Sequence, residues 1–63
     1  MNKIFDIQDK RILKSHIGAF WKRNYDGFGI YILVILVDGK EVIFKFYSDY
    51  SRDEEYKRLE REF

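Results

Sequence analysis

The 63-residue sequence predicts a small α+β fold: an antiparallel β-meander of three to five strands with a C-terminal α-helix packed on one face. Two stretches carry that prediction. Residues 29–46, GIYILVILVDGKEVIFKF, set two β-rich runs on either side of Asp38-Gly39. A two-residue Asp-Gly loop suits a type I′ turn, because Asp and Gly tolerate its two positive-φ positions. Residues 48–63, SDYSRDEEYKRLEREF, place apolar side chains at helical spacing behind an acidic start. A third observation bounds the result. With no Cys and no Pro, the chain has no disulfide staple, and at this length a domain buries only about 60% of the surface its unfolded chain exposes. Six Phe, five Tyr, one Trp and the many Ile must make the core, and self-association is a further source of buried surface for so small a chain. The whole of 1–63 is expected to form one domain.

Residues 3–25 admit two readings. As strands, Phe5 and Ile7 alternate, Gln8-Asp9-Lys10 turns, Arg11-Ile12-Leu13 returns, and Ile17, Ala19 and Trp21 alternate again. As a helix over 9–21, Ile12, Leu13, His16, Ile17 and Phe20 share one side. The strand reading is preferred. Gly18 inside a helix costs about 1 kcal/mol relative to Ala, and Ile12, Ile17, Phe20 and Trp21 suit a pleated surface. The segment RNYDGFG then serves as a hairpin loop, with Asn24, Asp26 and Gly27 supplying the turn chemistry.

The Asp38-Gly39 turn fixes the register of the central hairpin. Val37 faces Lys40, Ile35 faces Val42, Leu33 faces Phe44 and Tyr31 faces Phe46, all on one side. The other side pairs Leu36 with Glu41, Val34 with Ile43, Ile32 with Lys45 and Ile30 with Tyr47. The first side is the expected core. The second has an apolar centre of Ile30, Ile32, Val34 and Ile43, with charges only on the outer strand. In the C-terminal segment, Ser51 with Glu54 three residues on forms a capping-box pattern, and Asp53, Glu54 and Glu55 would lie in the first turn. Tyr56, Leu59 and Phe63 make a narrow apolar stripe, and Asp53–Lys57, Glu54–Arg58 and Arg58–Glu62 are available as i,i+4 pairs. So thin a stripe covers one sheet face and leaves the other open.

The run FDIQDKRILKSHIGAFWK, followed by a long strand, DGKEVIFKF and a short acidic helix, resembles small FlbD-type flagellar proteins and many phage-encoded proteins. The resemblance rests on the hydrophobic pattern and the DG turn. It covers most of the chain, although the aromatic loop FWKRNYDGFG departs from it. It implies the order of strands and helix and carries no catalytic residues. Richness in Lys, Ile, Tyr and Phe with a single Ala is also a composition common in AT-rich bacterial and phage genomes.

No catalytic constellation is legible, and the chain is not expected to be an enzyme. The one histidine, His16, has no second His or Cys with which to hold a metal, and reads as a turn or partly buried residue bonded to backbone. Gly27-Phe28-Gly29 lacks the third glycine and following helix of a phosphate loop. The acidic run 53–55 reads as a solvated helix start. No cofactor and no metal are expected. The formal charge is +1, divided as +3 over residues 1–31 and −2 over 32–63, so no strong field draws the chain to nucleic acid or membrane. The apolar run 28–37 is too short for a spanning helix, which needs about 20 residues. The N-terminus shows no secretory apolar region, and a cytoplasmic location is expected.

What remains is recognition. Phe20, Trp21, Lys22, Arg23, Tyr25 and Phe28 combine rings and cations of the kinds enriched at interface hot spots, and are the expected contacts for a protein partner. Ile30, Ile32, Val34 and Ile43 are the expected homodimer surface. The reading is a protein-interaction module, a small phage- or mobile-element-encoded inhibitor or regulator that self-associates through a sheet face or edge. Single-stranded nucleic-acid binding by the basic-aromatic segment is an alternative, opposed by the balanced charge. Sequestration of a small ligand such as a nucleotide at a dimer seam is another.

Overall fold

The computed structural model describes residues 3–25 and 29–63. Five strands and one α-helix follow in the order β1 (Ile4–Ile7), β2 (Lys10–Leu13), a 3-10 turn (Lys14–His16), β3 (Ile17–Tyr25), β4 (Ile30–Val37), β5 (Lys40–Phe46) and α1 (Asp49–Glu62). β1 and β2 form a two-stranded hairpin, and β3, β4 and β5 a three-stranded antiparallel meander with β4 in the middle. This is the α+β arrangement the sequence predicts, and the strand reading of the N-terminal third holds. The helical reading of 9–21 does not, since its apolar residues alternate into strands.

Two turns set the registers. Asp38 (φ 52°) and Gly39 (φ 81°) both adopt the left-handed region, as a type I′ turn requires. β4 and β5 accordingly pair as expected from Val37 opposite Lys40 through to Tyr31 opposite Phe46. The β1–β2 turn uses the same device without glycine. Gln8 (φ 46°) and Asp9 (φ 65°) both lie in the left-handed region, which costs a non-glycine residue about 1–2 kcal/mol. The Gln8 Nε2 offsets part of that by donating to the Lys45 carbonyl at 2.7 Å, which fastens the turn to the β5 edge.

All other elements pack on one side of the meander. Leu33 and Ile35 of β4 and Phe44 and Phe46 of β5 meet Phe5, Ile7 and Ile12 of the hairpin and Leu59 of the helix in one buried cluster. Phe20 joins at its margin, its ring 5.5 Å from Tyr56 edge-on and 6.0 Å from Phe63. Arg58 lies 4.5 Å over the Phe5 ring and donates to the Asp6 carbonyl at 2.9 Å, tying helix to hairpin.

The helix begins earlier than the capping-box pattern predicts. Ser48 is the N-cap, its Oγ accepting from the Ser51 amide at 3.1 Å and donating to the Ser51 Oγ at 2.9 Å. The first turn therefore holds Asp49 rather than the run 53–55. The charged residues also choose other partners than the i,i+4 set. Asp53 meets Arg52 and Lys22, Glu55 meets Arg58, and Glu62 meets Lys14. No helix of the described residues is long and apolar enough to cross a membrane.

Candidate protein-interaction face

The opposite side of the meander is built by strand alternation alone. Its rows run across β3, β4 and β5 as Ala19–Leu36–Glu41, Trp21–Val34–Ile43 and Arg23–Ile32–Lys45, with Ile30 beyond them opposite Tyr25. A β-bulge at Gly18, where the register slips between Ile17 and Ala19, sets Ala19 and Trp21 on this side. Gly18 suits the bulge, since it brings no side chain to the irregularity. Among the described residues, the hairpin β1–β2 and the helix contribute to the other side, so no second layer covers this face.

The residues expected to form the homodimer surface differ sharply. Val34 is fully buried and Ile32 only 9% exposed, whereas Ile43 is 49% exposed. The middle strand explains this. Val34 is paired with Trp21 on one flank and Ile43 on the other, and Ile32 with Arg23 and Lys45, so residues of the middle strand have neighbours on both sides whereas Ile43 stands on an edge strand. The expectation that Val34 and Ile32 present their side chains at an open surface is thus corrected, both being buried. The apolar surface on offer belongs to Ile43 and to the partly covered Trp21, Ile30 and Leu36.

The basic-aromatic set is divided by the strand. Trp21 and Arg23 stand on the open face, while Phe20 and Lys22 point to the helix side. There Phe20 stacks with Tyr56, and the Lys22 ammonium lies 4.9 Å over the Tyr56 ring and 3.6 Å from Asp53. Phe28 and the side chain of Tyr25 fall outside the described residues. Phe20, Trp21, Lys22 and Arg23, adjacent in sequence, therefore do not form one patch: Lys22 is occupied by Asp53, and Arg23 is paired with Ile32 on the other face.

One structural residue escaped the sequence reading. Arg52, on the first turns of α1, is buried. Its Nη1 donates to the Arg23 carbonyl at 3.0 Å and to Asn24 Oδ1 at 2.7 Å, its Nε donates to Asp53 at 3.1 Å, and its guanidinium lies 5.2 Å over the Tyr31 ring. This anchor holds the helix to the end of β3 and so fixes the strand that carries Trp21 and Arg23. Asp53 feels it. Desolvation by its neighbours pushes the Asp53 carboxyl up, but the Arg52 hydrogen bond and the charges of Lys22 and Arg52 together outweigh it and hold the carboxyl below its ordinary value.

His16 is not isolated. Its Nδ1 lies 3.0 Å from Asp38 Oδ2, and its carbonyl accepts from the Asp38 amide at 3.0 Å, so it braces the β4–β5 turn. A shallow groove of about 410 Å³ lies between the β1–β2 turn and α1, lined among others by Asp6, Asp9, Arg11, Glu55 and Arg58. Its charges are largely matched within it, as Arg11 with Asp6 and Arg58 with Glu55. Among the described residues no three His, Cys, Asp or Glu side chains gather to hold a metal ion. No family model, no curated protein and no solved structure matches the chain.

Proposed function

We propose that the chain is a non-enzymatic protein-interaction module that self-associates through the open face of its three-stranded sheet. One observation carries the reading: hairpin and helix both pack on the same side of the meander, so that among the described residues no strand or helix covers Trp21, Ile30, Leu36 and Ile43 on the other. Contiguous apolar surface of this kind marks an interface. Covering Ile43, half exposed in the single chain, is worth about 1 kcal/mol per protomer, since full burial of such a side chain gives about 1.5–3 kcal/mol. The wider role is that of a small phage- or mobile-element-encoded inhibitor or regulator of a host or defence protein. It rests on the resemblance in hydrophobic pattern, and the Cys-free composition suits a reducing cytoplasm.

The test is sedimentation of the wild type beside Ile43→Lys. Because Ile43 is half exposed, the lysine is accommodated in the single chain, and its melting temperature should stay near wild type while the dimer is lost. Val34→Lys is the poorer probe, because burying an ammonium at that position would unfold the sheet. Capture of partners from extract, with and without nuclease, then separates a protein target from a nucleic acid. A wild type that stays monomeric at high micromolar concentration would refute self-association, and a partner lost on nuclease treatment would refute the protein target.

A further inference from the structure

The charges bordering the open face are placed unevenly, and they select one way for two copies to meet. On β5, Lys45 and Glu41 stand two residues either side of Ile43 on the same face. On β3, Arg23 and Ala19 stand two residues either side of Trp21. All four are exposed. One end of the face is therefore cationic on both outer strands, and the other is anionic on β5 and small on β3.

Two-fold packing of such a face on itself has two simple forms. With the axis parallel to the strands, each row lies over the same row of its partner with the outer strands exchanged. Arg23 then meets the partner's Lys45, and by symmetry this like-charge contact occurs twice. With the axis perpendicular to the strands, over the Trp21–Val34–Ile43 row, the rows invert. β5 lies over the partner's β5, Lys45 faces the partner's Glu41, and Arg23 faces the partner's Ala19, where a small side chain leaves room for the guanidinium. Trp21 and Ile43 each meet their own counterparts at the centre. Sheets pack about 10 Å apart, a gap that lysine and glutamate side chains span together.

We infer that the occupant of the open face is a second copy of the chain, packed face to face about a two-fold axis perpendicular to the strands, with Lys45 of each copy paired to Glu41 of the other. This inference rests on the self-association proposed above and adds its geometry. The contact is isologous, so each favourable pair occurs twice. Three strands about 4.8 Å apart and the three rows that an axis over the middle row superposes, about 7 Å apart, give a footprint of roughly 300 Å² per copy, against a chain surface of 4673 Å². Taken over both copies this lies below the roughly 1,200 Å² at which stable specific interfaces begin, so the pair is a weak, transient dimer that dissociates on dilution. Pairing along the β5 edge would also bring Lys45 to Glu41, but the Lys45 carbonyl on that edge is already taken by Gln8.

The test is a set of charge changes at the exposed positions, with folding of each variant checked by circular dichroism and association read by sedimentation equilibrium. Lys45→Glu and Glu41→Lys should each weaken the dimer about tenfold, since each turns two attractive contacts into two repulsive ones. An equimolar mixture of the two variants should recover the wild-type affinity as a heterodimer. Ala19→Glu should tighten association, because the new carboxylate faces the partner's Arg23. A tighter dimer for Lys45→Glu with a weaker one for Ala19→Glu would overturn the geometry in favour of the strand-parallel axis. Weakening by Lys45→Glu with no effect of Ala19→Glu would overturn it in favour of β5 edge pairing. A dimer indifferent to all three changes would place the contact elsewhere. A wild type without any dimer would overturn the proposed self-association itself, and this inference with it.

Discussion

Removing the Arg52 guanidinium should cost this chain a large part of its stability. The side chain is buried and donates to the Arg23 carbonyl, to Asn24 Oδ1 and to Asp53, over the Tyr31 ring. A hydrogen bond to a charged group contributes about 1.5–3 kcal/mol, and the ring contact about 0.5–1 kcal/mol. These terms share one side chain and do not add in full, and the bond to the partly exposed Asp53 counts for little. Arg52→Ala should therefore destabilise by about 2–4 kcal/mol, the range for breaking a buried polar network. At about 0.05–0.15 kcal/mol per residue the whole chain holds only about 3–9 kcal/mol. Since 1 kcal/mol shifts the midpoint of so small a domain by about 4–8 °C, the thermal transition should fall by about 8 °C or more. Melts followed by circular dichroism, on Arg52→Ala, Asn24→Ala and the double variant, measure this. Arg52 and Asn24 should show a coupling of about 1 kcal/mol. A midpoint for Arg52→Ala within about 2 °C of wild type, under 1 kcal/mol by the same scale, would show that the guanidinium does not anchor helix to sheet.

Other consequences are open to similar measurements. Gly39→Val should be strongly destabilising although its Cβ would meet nothing within 4 Å, because the cost lies in a β-branched residue at φ 81°; an unchanged melt would contradict the turn. Ser48→Ala should lose about 1 kcal/mol as the N-cap is removed, and Ser51→Ala should lose less; the reverse order would return the helix start to Ser51. Asp53 is held below its ordinary carboxylate value, so its contribution is present above that value and is lost as pH falls through its lowered one. Asp53→Asn should accordingly flatten the acid limb of the stability profile, and an identical acid limb would remove Asp53 from it. A single-stranded oligonucleotide should bind only weakly at physiological salt, with Lys22 engaged by Asp53 and Tyr56; a tight, steeply salt-dependent complex would restore the nucleic-acid reading.

The parts of the fold legible in the sequence are those with short-range determinants. Asp38-Gly39 pins a turn, and a pinned turn dictates every pair up the hairpin, so the sides occupied by Leu33, Ile35, Phe44 and Phe46 could be named in advance. The first turn was legible only to within a residue: the sequence places it at Gln8-Asp9-Lys10, whereas Lys10 already pairs with Ile7 in β2. The capping-box pattern points to Ser51, but a second serine three residues earlier also precedes polar residues that a first turn accepts, and Ser48 is the one whose Oγ accepts the amide. The pattern does mark Arg52, which stands four residues before Tyr56 and so continues the stripe through Leu59 and Phe63, but its charge gives no sign of burial. Period-two alternation along β3 would have divided Phe20 and Lys22 from Trp21 and Arg23 once the strand reading was taken. The burial of Val34 was not legible, because it depends on which side chains flank the middle strand and how far they spread.

Methyl resonances of the isoleucines, followed as the protein is diluted, address the open face most directly. Ile30, Ile32 and Ile43 lie on that face, while Ile7, Ile12 and Ile35 lie in the buried cluster that hairpin and helix form with the other face. If two copies meet through the sheet, the first three methyls and the Trp21 indole should move with concentration while the second three stay fixed. Shifts confined to Ile7 and Ile12, or no shift at any concentration, would contradict it.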